Sequence, residues 1–497
     1  MGTVSFQQEF RPELPNVYGT LDYREFRETL TKIDEILTRS DLEHQIVTKA
    51  VAQLVSDYEL DANHFYYSKS ATFQYKKIRH ALRCNIARHL TGESYRLFSL
   101  RLADSQLFQW FTGISGFGSR KAISKSSLER YEKYFDEVFI AEEIKKWMSG
   151  FSDVKKANSI GLQEPIDFQK IFMDSTCVKA NIHFPVDWVL LRDAARSLLL
   201  AIKTIRAQGL KHRMIEPSKL LKEMNKLCIS MTHTRRKADG KKQRKNILRF
   251  MKKLSHRISK HAKRYRDLLA REWEKTSWTL PQANQVIQRI NSILDQMPAA
   301  IKQAHDRIIG ERMLASSDKI LSLYDRDVQV IVRGKAGNEV EFGQGLFLGE
   351  QSNGLIVDWD LFSEQPPSDS QLLEPAINRI EKYYGKIDSV SADRAFWNKK
   401  SESFLSEKNI YNAVCPKSPI LLIEKLTDEK FLLLQTRRSQ TEARIGIFKN
   451  VFLGKPLRSK ITLNKRHAIN WCVLTHNLWV LSRKAIADER QLLQKAA

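Results

Sequence analysis

Apolar residues recur along this chain with two different periods, and the switches between them mark its parts. Over residues 42–58 and 95–111 the spacing is helical, with Leu97, Leu100, Leu107, Phe108 and Phe111 forming the second apolar set. A glycine turn through Gly113, Gly116 and Gly118 follows, and Ser126 with Glu129 has the capping-box pattern that opens a helix through Leu128, Tyr131 and Phe135. Ile171, Phe172 and Met173 then read as a buried strand that runs on to Cys177 and Val178 but is interrupted by the carboxylate of Asp174. From Trp188 to about Ile320 the helical period returns, through Leu190, Leu191, Leu198, Ile202 and Ile205 and later Val286, Ile290 and Ile293. Strand patterns resume at residues 328–332, 340–348 and 355–361, with the Asn353-Gly354 dipeptide suited to a hairpin turn between the last two. A helix over 370–384, a strand closed by Asp393, a short strand over 410–414, a helix over 435–450 and a core helix over 469–481 complete the order.

Three acids stand out against that pattern. Asp174 interrupts one strand and needs a partner there, since a buried carboxylate is costly alone. Asp393 closes another. Glu442 lies on the 435–450 helix, where at 100° per residue Gln435, Arg438, Glu442 and Lys449 share an arc of about 60°, so one face sets a carboxylate between two cations. Two strand carboxylates and one helix carboxylate can converge on two divalent cations, and hard oxygen ligands suit magnesium or manganese. Asp388, on the opposite face of the Asp393 strand, is the competing acid.

Composition sharpens the choice of partner. The 497 residues have room for two or three domains, and 42% apolar content is ordinary for a folded chain. A net charge of +25 is not ordinary and calls for a polyanion, nucleic acid first. The excess is local: residues 231–266 hold 15 Lys or Arg against one acid, Asp239, a net +14. Arg235, Arg236, Lys241, Lys242, Arg244, Lys245, Lys252, Lys253, Arg257 and Lys260 belong to this run, with Ile247, Leu248, Phe250, Met251, Leu254 and Ile258 interleaved as the inner face of a helix. A solvated face usually mixes signs; this one does not, and it is expected to bind phosphates. The five cysteines have no paired spacing, so neither a zinc site nor a disulfide framework is expected, and a reducing cytoplasm fits. Residues 1–19 lack a signal-peptide pattern and no 18-residue apolar stretch is free of charge, so no membrane association is expected.

The spacing Arg438, three residues, Glu442, six residues, Lys449 resembles the Tyr-Arg-Glu-Lys signature of DDE transposases from bacterial insertion sequences, with Gln435 where the signature has tyrosine. The strings Met173 to Asp187 and Ser391 to Phe396 are similar to that family's two aspartate blocks, and the likeness covers residues 80–485. The resemblance implies an α/β fold with an RNase H-like mixed sheet core (165–187 and 325–485), a large helical basic insertion (188–324) between its first and second strands, and a helical, helix-turn-helix-like DNA-binding region ahead of it (1–150). It further implies two Mg2+ (or Mn2+) ions per site held by Asp174, Asp393 and Glu442, flanking phosphates held by Arg438 and Lys449, and double-stranded DNA, both element ends and target, as partner of a dimer or higher oligomer in the prokaryotic nucleoid. The implied reaction is strand cleavage and strand transfer. A nuclease of the same fold without strand transfer, and a catalytically silent DNA-binding regulator, are the alternatives.

Overall fold

A computed structural model describes residues 13–14, 19–66, 68–114, 122–234, 237–335, 338–454, 457 and 459–496. Among these, the chain before the first strand is helical: α1 (Leu21–Arg39), α2 (Leu42–Asp57), α3 (Ala62–Tyr66), α4 (Lys69–Thr91), α5 (Tyr95–Asp104), α6 (Gln106–Thr112), α7 (Lys125–Glu132), α8 (Glu137–Ser149) and α9 (Val154–Ser159). Strand β1 (Lys170–Lys179) leads into α10 (Asp187–Ala207), α11 (Pro217–His233), α12 (Gly240–Glu272) and α13 (Leu280–Ile308). There follow β2 (Gln329–Lys335), β3 (Asn338–Gln351), β4 (Ile356–Leu361), α14 (Asp369–Tyr384), β5 (Ser389–Ala392), α15 (Lys399–Glu407), β6 (Tyr411–Val414), α16 (Pro419–Lys425), α17 (Glu429–Ile447) and α18 (Thr462–Ala496). Among the described residues the fold is mixed α/β, 67% helical, with a mixed sheet of six strands.

The chain divides into two compact units, residues 1–178 with 345–497, and residues 179–344. In the first, the strand order is β4-β3-β1-β5-β6. β3 and β4 form an antiparallel hairpin whose turn places Gly354 at φ +87°, a backbone conformation that favours glycine, as the Asn353-Gly354 pair predicts. β1 runs parallel to β5, and β5 to β6. Parallel strands need a crossover, which α15 supplies between β5 and β6. β5 is buried along its whole length on both faces, which its small residues Ser389, Ser391 and Ala392 and apolar Val390 allow.

The helices on this sheet do not form a separate amino-terminal domain over 1–150. Leu30, Ile33, Leu82, Phe98, Phe111 and Phe135 lie in the same core as Val390, Trp471 and Leu474, and α18 packs against α1, α4 and α8. Local readings there also shift. The single helix over 95–111 is two, because the Ser105 hydroxyl accepts the Phe108 N–H and starts α6. Phe98 and Leu102 face inward on α5, leaving Leu97 and Leu100 exposed. α7 begins at Ser124, whose hydroxyl caps the Ser127 N–H, two residues ahead of the Ser126 box. Gly113 does end α6 at φ +71°, while Gly116 and Gly118 lie outside the described residues.

The second unit is larger than the 188–324 insertion expected. β3 is 14 residues long and its two halves have different neighbours: Val340 to Gly343 pair with β2, and Leu346 to Glu350 pair with β4. The β2 hairpin therefore belongs with the inserted helices. Those helices enclose Leu191, Leu198, Ile202, Met224, Leu248, Ile258, Tyr265 and Ile290 as a core of their own.

Candidate active site and basic face

Parallel register brings the two aspartates together. The β1–β5 ladder pairs Met173 with Ala392 and stops there, so Asp174 and Asp393 are the next residues on neighbouring strands, at the carboxyl end where α/β sheets place their ligands. β1 itself continues five residues beyond Asp174, so this acid sits in mid-strand, at the end of one ladder only. The Ser175 N–H donates to Asp174 Oδ1 at 2.8 Å. The Asp393 carboxylate accepts the Ala395 N–H at 2.9 Å and caps the 3-10 turn Arg394–Phe396, which takes the chain out of the sheet. Asp388 is exposed and precedes β5, at the far end of the strand from Asp393.

The third acid comes from α17. α17 starts at Glu429, six residues ahead of the expected start at Gln435, where the Asp428 carboxylate accepts the N–H groups of Lys430 and Phe431, and Phe431 and Leu434 then bury against Phe172 and Ala413. Gln435 ties the helix to the strand ends. Its side-chain amide donates to the carbonyls of Ala413 at 2.5 Å and Ala392 at 3.2 Å, so Gln435 is a helix-to-sheet clasp. One turn further on, Arg438 reaches 4.0 Å from Asp393 Oδ2 and 3.8 Å from Glu442 Oε1. α17 gives way to a π turn over Phe448–Phe452, and from it Lys449 donates to Thr176 Oγ1 at 3.0 Å, two residues along β1 from Asp174.

Several of these groups act on the Asp174 carboxyl. Burial pushes the Asp174 carboxyl up to about 6; Asp393 adds to the rise, the Ser175 N–H and Arg438 oppose it, and Glu442 raises it further. Among the described residues no three Asp, Glu, His or Cys side chains are gathered tightly enough to enclose an ion, and Arg438 stands between Asp393 and Glu442. The side chains of Asp174, Asp393 and Glu442 offer carboxylate oxygens, the donor type that hard divalent cations take, and the rise at Asp174 comes first from burial and only then from its acidic neighbours.

In the second unit the basic run forms α12, a helix of 33 residues with Leu248, Met251, Leu254, Ile258, Ala262, Tyr265 and Leu269 buried on one side. The expected inner face holds except at Phe250, which is 60% exposed among the cations. The expected phosphate contacts differ in their freedom. Lys241 and Lys245 pair with Glu311 at 2.8 and 2.6 Å, Lys252 lies 3.1 Å from His305, and Arg244 is half-buried. Lys242, Lys253, Arg257 and Lys260 are exposed, with no acidic partner within salt-bridge distance among the described residues. Arg235 and Arg236 lie outside the described residues.

A scan against protein-family models finds no match, and neither the curated proteins nor the solved structures yield one. No helix among the described residues is long and apolar enough to cross a membrane.

Proposed function

We propose that this chain is a DDE-type DNA transposase that binds the ends of its element, cuts DNA and joins the freed 3' ends to target DNA. The observation that carries the reading is the β1–β5 register, which sets Asp174 and Asp393 side by side, with Arg438 linking Asp393 to Glu442 on α17. Strand order β4-β3-β1-β5-β6, an antiparallel hairpin followed by three parallel strands, supports an RNase H-like core as the scaffold. Asp174, Asp393 and Glu442 would hold two magnesium or manganese ions, which when bound supply Lewis acidity toward a phosphodiester and an activated hydroxyl. Arg438 and Lys449 would fix the phosphates on either side of the cut and offset charge that grows on the non-bridging oxygens. Water would be the first nucleophile and the released 3' hydroxyl the second. No side-chain nucleophile is required. A dimer on DNA, in a prokaryotic nucleoid, is the assembly this reaction suits.

The decisive assay incubates the full-length protein with a duplex carrying the element's flanks, with and without magnesium. Nicking at a fixed position and joining to a second duplex are the expected results. Nicking without joining would make it a nuclease, and binding without nicking a silent regulator.

α12 is proposed to grip the DNA backbone without reading bases, since its outward cations are many and closely spaced, whereas base readout needs a few groups held in fixed geometry. Each phosphate contact contributes about −0.9 to the slope of log K against log salt. Changing Lys242, Lys253, Arg257 and Lys260 to Gln should flatten that slope by roughly 3 to 4 units and weaken end and random DNA by similar factors. Titrations at several salt concentrations read both quantities, and an unchanged slope would make α12 a solvated face.

A further inference from the structure

The inner face of α17 is tied down by an acid that the catalytic reading leaves unused. Glu350 sits at the last turn-ward end of β3, where the pairing with β4 shifts register between Gly349 and Glu350. Such a bulge re-aims a side chain, and here the Glu350 carboxylate is turned inward until it is 4% exposed. Three residues of α17 converge on it. Thr441 Oγ1 donates to Glu350 Oε1 at 2.7 Å, Arg437 Nη2 donates to the same oxygen at 3.0 Å, and Arg444 lies 3.9 Å away. Arg437 also donates to the carbonyls of Ser352 at 2.8 Å and Gln351 at 3.1 Å, and its guanidinium stacks 4.5 Å over the ring of Phe172, two residues before Asp174. At Gly354 a Cβ would fall on the Arg444 guanidinium, so the hairpin turn closes directly over the clamp.

The helical spacing gives this clamp its meaning. Arg437, Thr441 and Arg444 are at i, i+4 and i+7, one stripe of the helix. Arg438 and Glu442 each follow a clamp residue by one position, about 100° around the axis. Whatever fixes the first stripe therefore fixes the rotation of the second. A roll of about 20° would carry a side-chain head some 6 Å from the axis through roughly 2 Å, and a displacement of about 1 Å in a reacting constellation can cost a hundredfold in rate. Gln435 clasps the start of this segment to β5 and β6, and Glu350 clasps its middle to the β3–β4 hairpin.

We propose that Glu350 is a positioning residue for the DNA-cutting reaction proposed above, holding α17 at the rotation that brings Arg438 and Glu442 to Asp393 and Asp174. It touches none of the reacting groups and acts through Glu442. The proposal rests on the transposase reading of the Asp174, Asp393 and Glu442 site.

The test uses the full-length protein, three single variants of near-native shape (Glu350→Gln, Thr441→Val and Thr441→Ser), and Glu442→Gln alone and combined with Glu350→Gln. Nicking of the end duplex gives kcat and KM, and Mn2+ binding without DNA, followed by electron paramagnetic resonance, gives a readout independent of turnover. Glu350→Gln should lower kcat about 10- to 100-fold with KM within about twofold, and weaken Mn2+ binding by on the order of tenfold, as loss of an outer supporting contact does. Thr441→Val should move both in the same direction, and Thr441→Ser, which keeps the hydroxyl, should restore them. In a Glu442→Gln background Glu350→Gln should weaken Mn2+ binding no further, because the residue it acts through is already gone. An unchanged kcat and Mn2+ affinity, a change in KM alone, or an equal loss in the Glu442→Gln background would each overturn the proposal. A native protein that neither nicks DNA nor binds Mn2+ would overturn the functional reading and this proposal with it, and that result is seen before any variant is compared.

Discussion

Asp174→Asn should make the metal-free protein more stable at pH 7 and unable to cut DNA. Burial beside Asp393 and Glu442 raises the Asp174 carboxyl from the unfolded value of 3.8 to about 6. The folded state therefore holds the proton more tightly than the unfolded chain does. Its contribution to stability is fully present below pH 4, shrinks between pH 4 and 6, and is gone above 6. Ionised Asp174 at pH 7 is the destabilised form by up to about 3 kcal/mol, and a neutral amide removes that penalty. Denaturant midpoints measured in EDTA at pH 4.5 and 7 should show the native protein weakening with rising pH and Asp174→Asn much less so. Added magnesium should close the gap from the native side, since a bound cation favours the carboxylate. For the same reason cleavage should fall as pH drops through 6. Asp393→Ala and Glu442→Ala should likewise stop cleavage while leaving DNA affinity close to native, and Asp388→Ala, at the far end of β5, should cut normally. A pH-independent difference between Asp174→Asn and native protein would show that the carboxyl is not strained, and nicking by any of the three variants at more than a few per cent of the native rate would remove that residue from the site.

Deleting residues 1–140 is expected to abolish folding of the sheet as well as any recognition of element ends. The order of the elements suggests a detachable amino-terminal reader, because every strand and every candidate acid comes later. The packing says otherwise: Leu30, Ile33, Leu82, Phe98, Phe111 and Phe135 share one core with Trp471, Leu474 and Val390. α18 would lose the α1 and α4 surfaces it packs on and expose its apolar side along much of its length. Loss of one large buried side chain costs about 3 to 5 kcal/mol, against a total domain stability of about 5 to 15 kcal/mol; here many go together. Circular dichroism and melting of the fragment 141–497 should show loss of the cooperative transition of the first unit. A fragment that melts cooperatively and binds metal like the native chain would show that the core does not need these helices.

How far the sequence could be read follows from which interactions are local. The five strands from 328 to 414 and the helix over 370–384 are legible because each carries its own period and turn residues, down to the glycine at 354, whereas the short crossover helix α15 (Lys399–Glu407) is not. The three acids are legible because Asp174 interrupts an apolar run, Asp393 closes one, and Glu442 shares a helical stripe with two cations. What joins them is not. The β1–β5 register pairs residues more than 200 positions apart, and no local pattern reports it. Glu350 escaped notice because its three partners lie on α17, some 90 residues away. The inward face of α5 is not legible, because Leu97 and Phe98 are equally apolar and only the position of α7 and the core decides which turns inward. Nor are the boundaries of the inserted unit, because β3 is one strand with two sets of neighbours.

The division of the chain into one interrupted and one continuous unit has a consequence for its biosynthesis. Residues 179–344 emerge from the ribosome as an unbroken segment that carries its own apolar centre, so this part can fold while translation is still in progress. The first unit cannot, since α1 and β1 wait for β5, β6 and α18. At about 5 to 20 residues per second, the 153 residues from 345 to 497 take on the order of 10 to 30 s to appear. Throughout that interval the nascent chain presents a finished basic helix, α12, ahead of any assembled carboxylate cluster. If α12 binds as proposed, polyanion capture precedes assembly of the three carboxylates in the life of each molecule, and a newly made copy can already be held on nearby nucleic acid when Asp174, Asp393 and Glu442 come together.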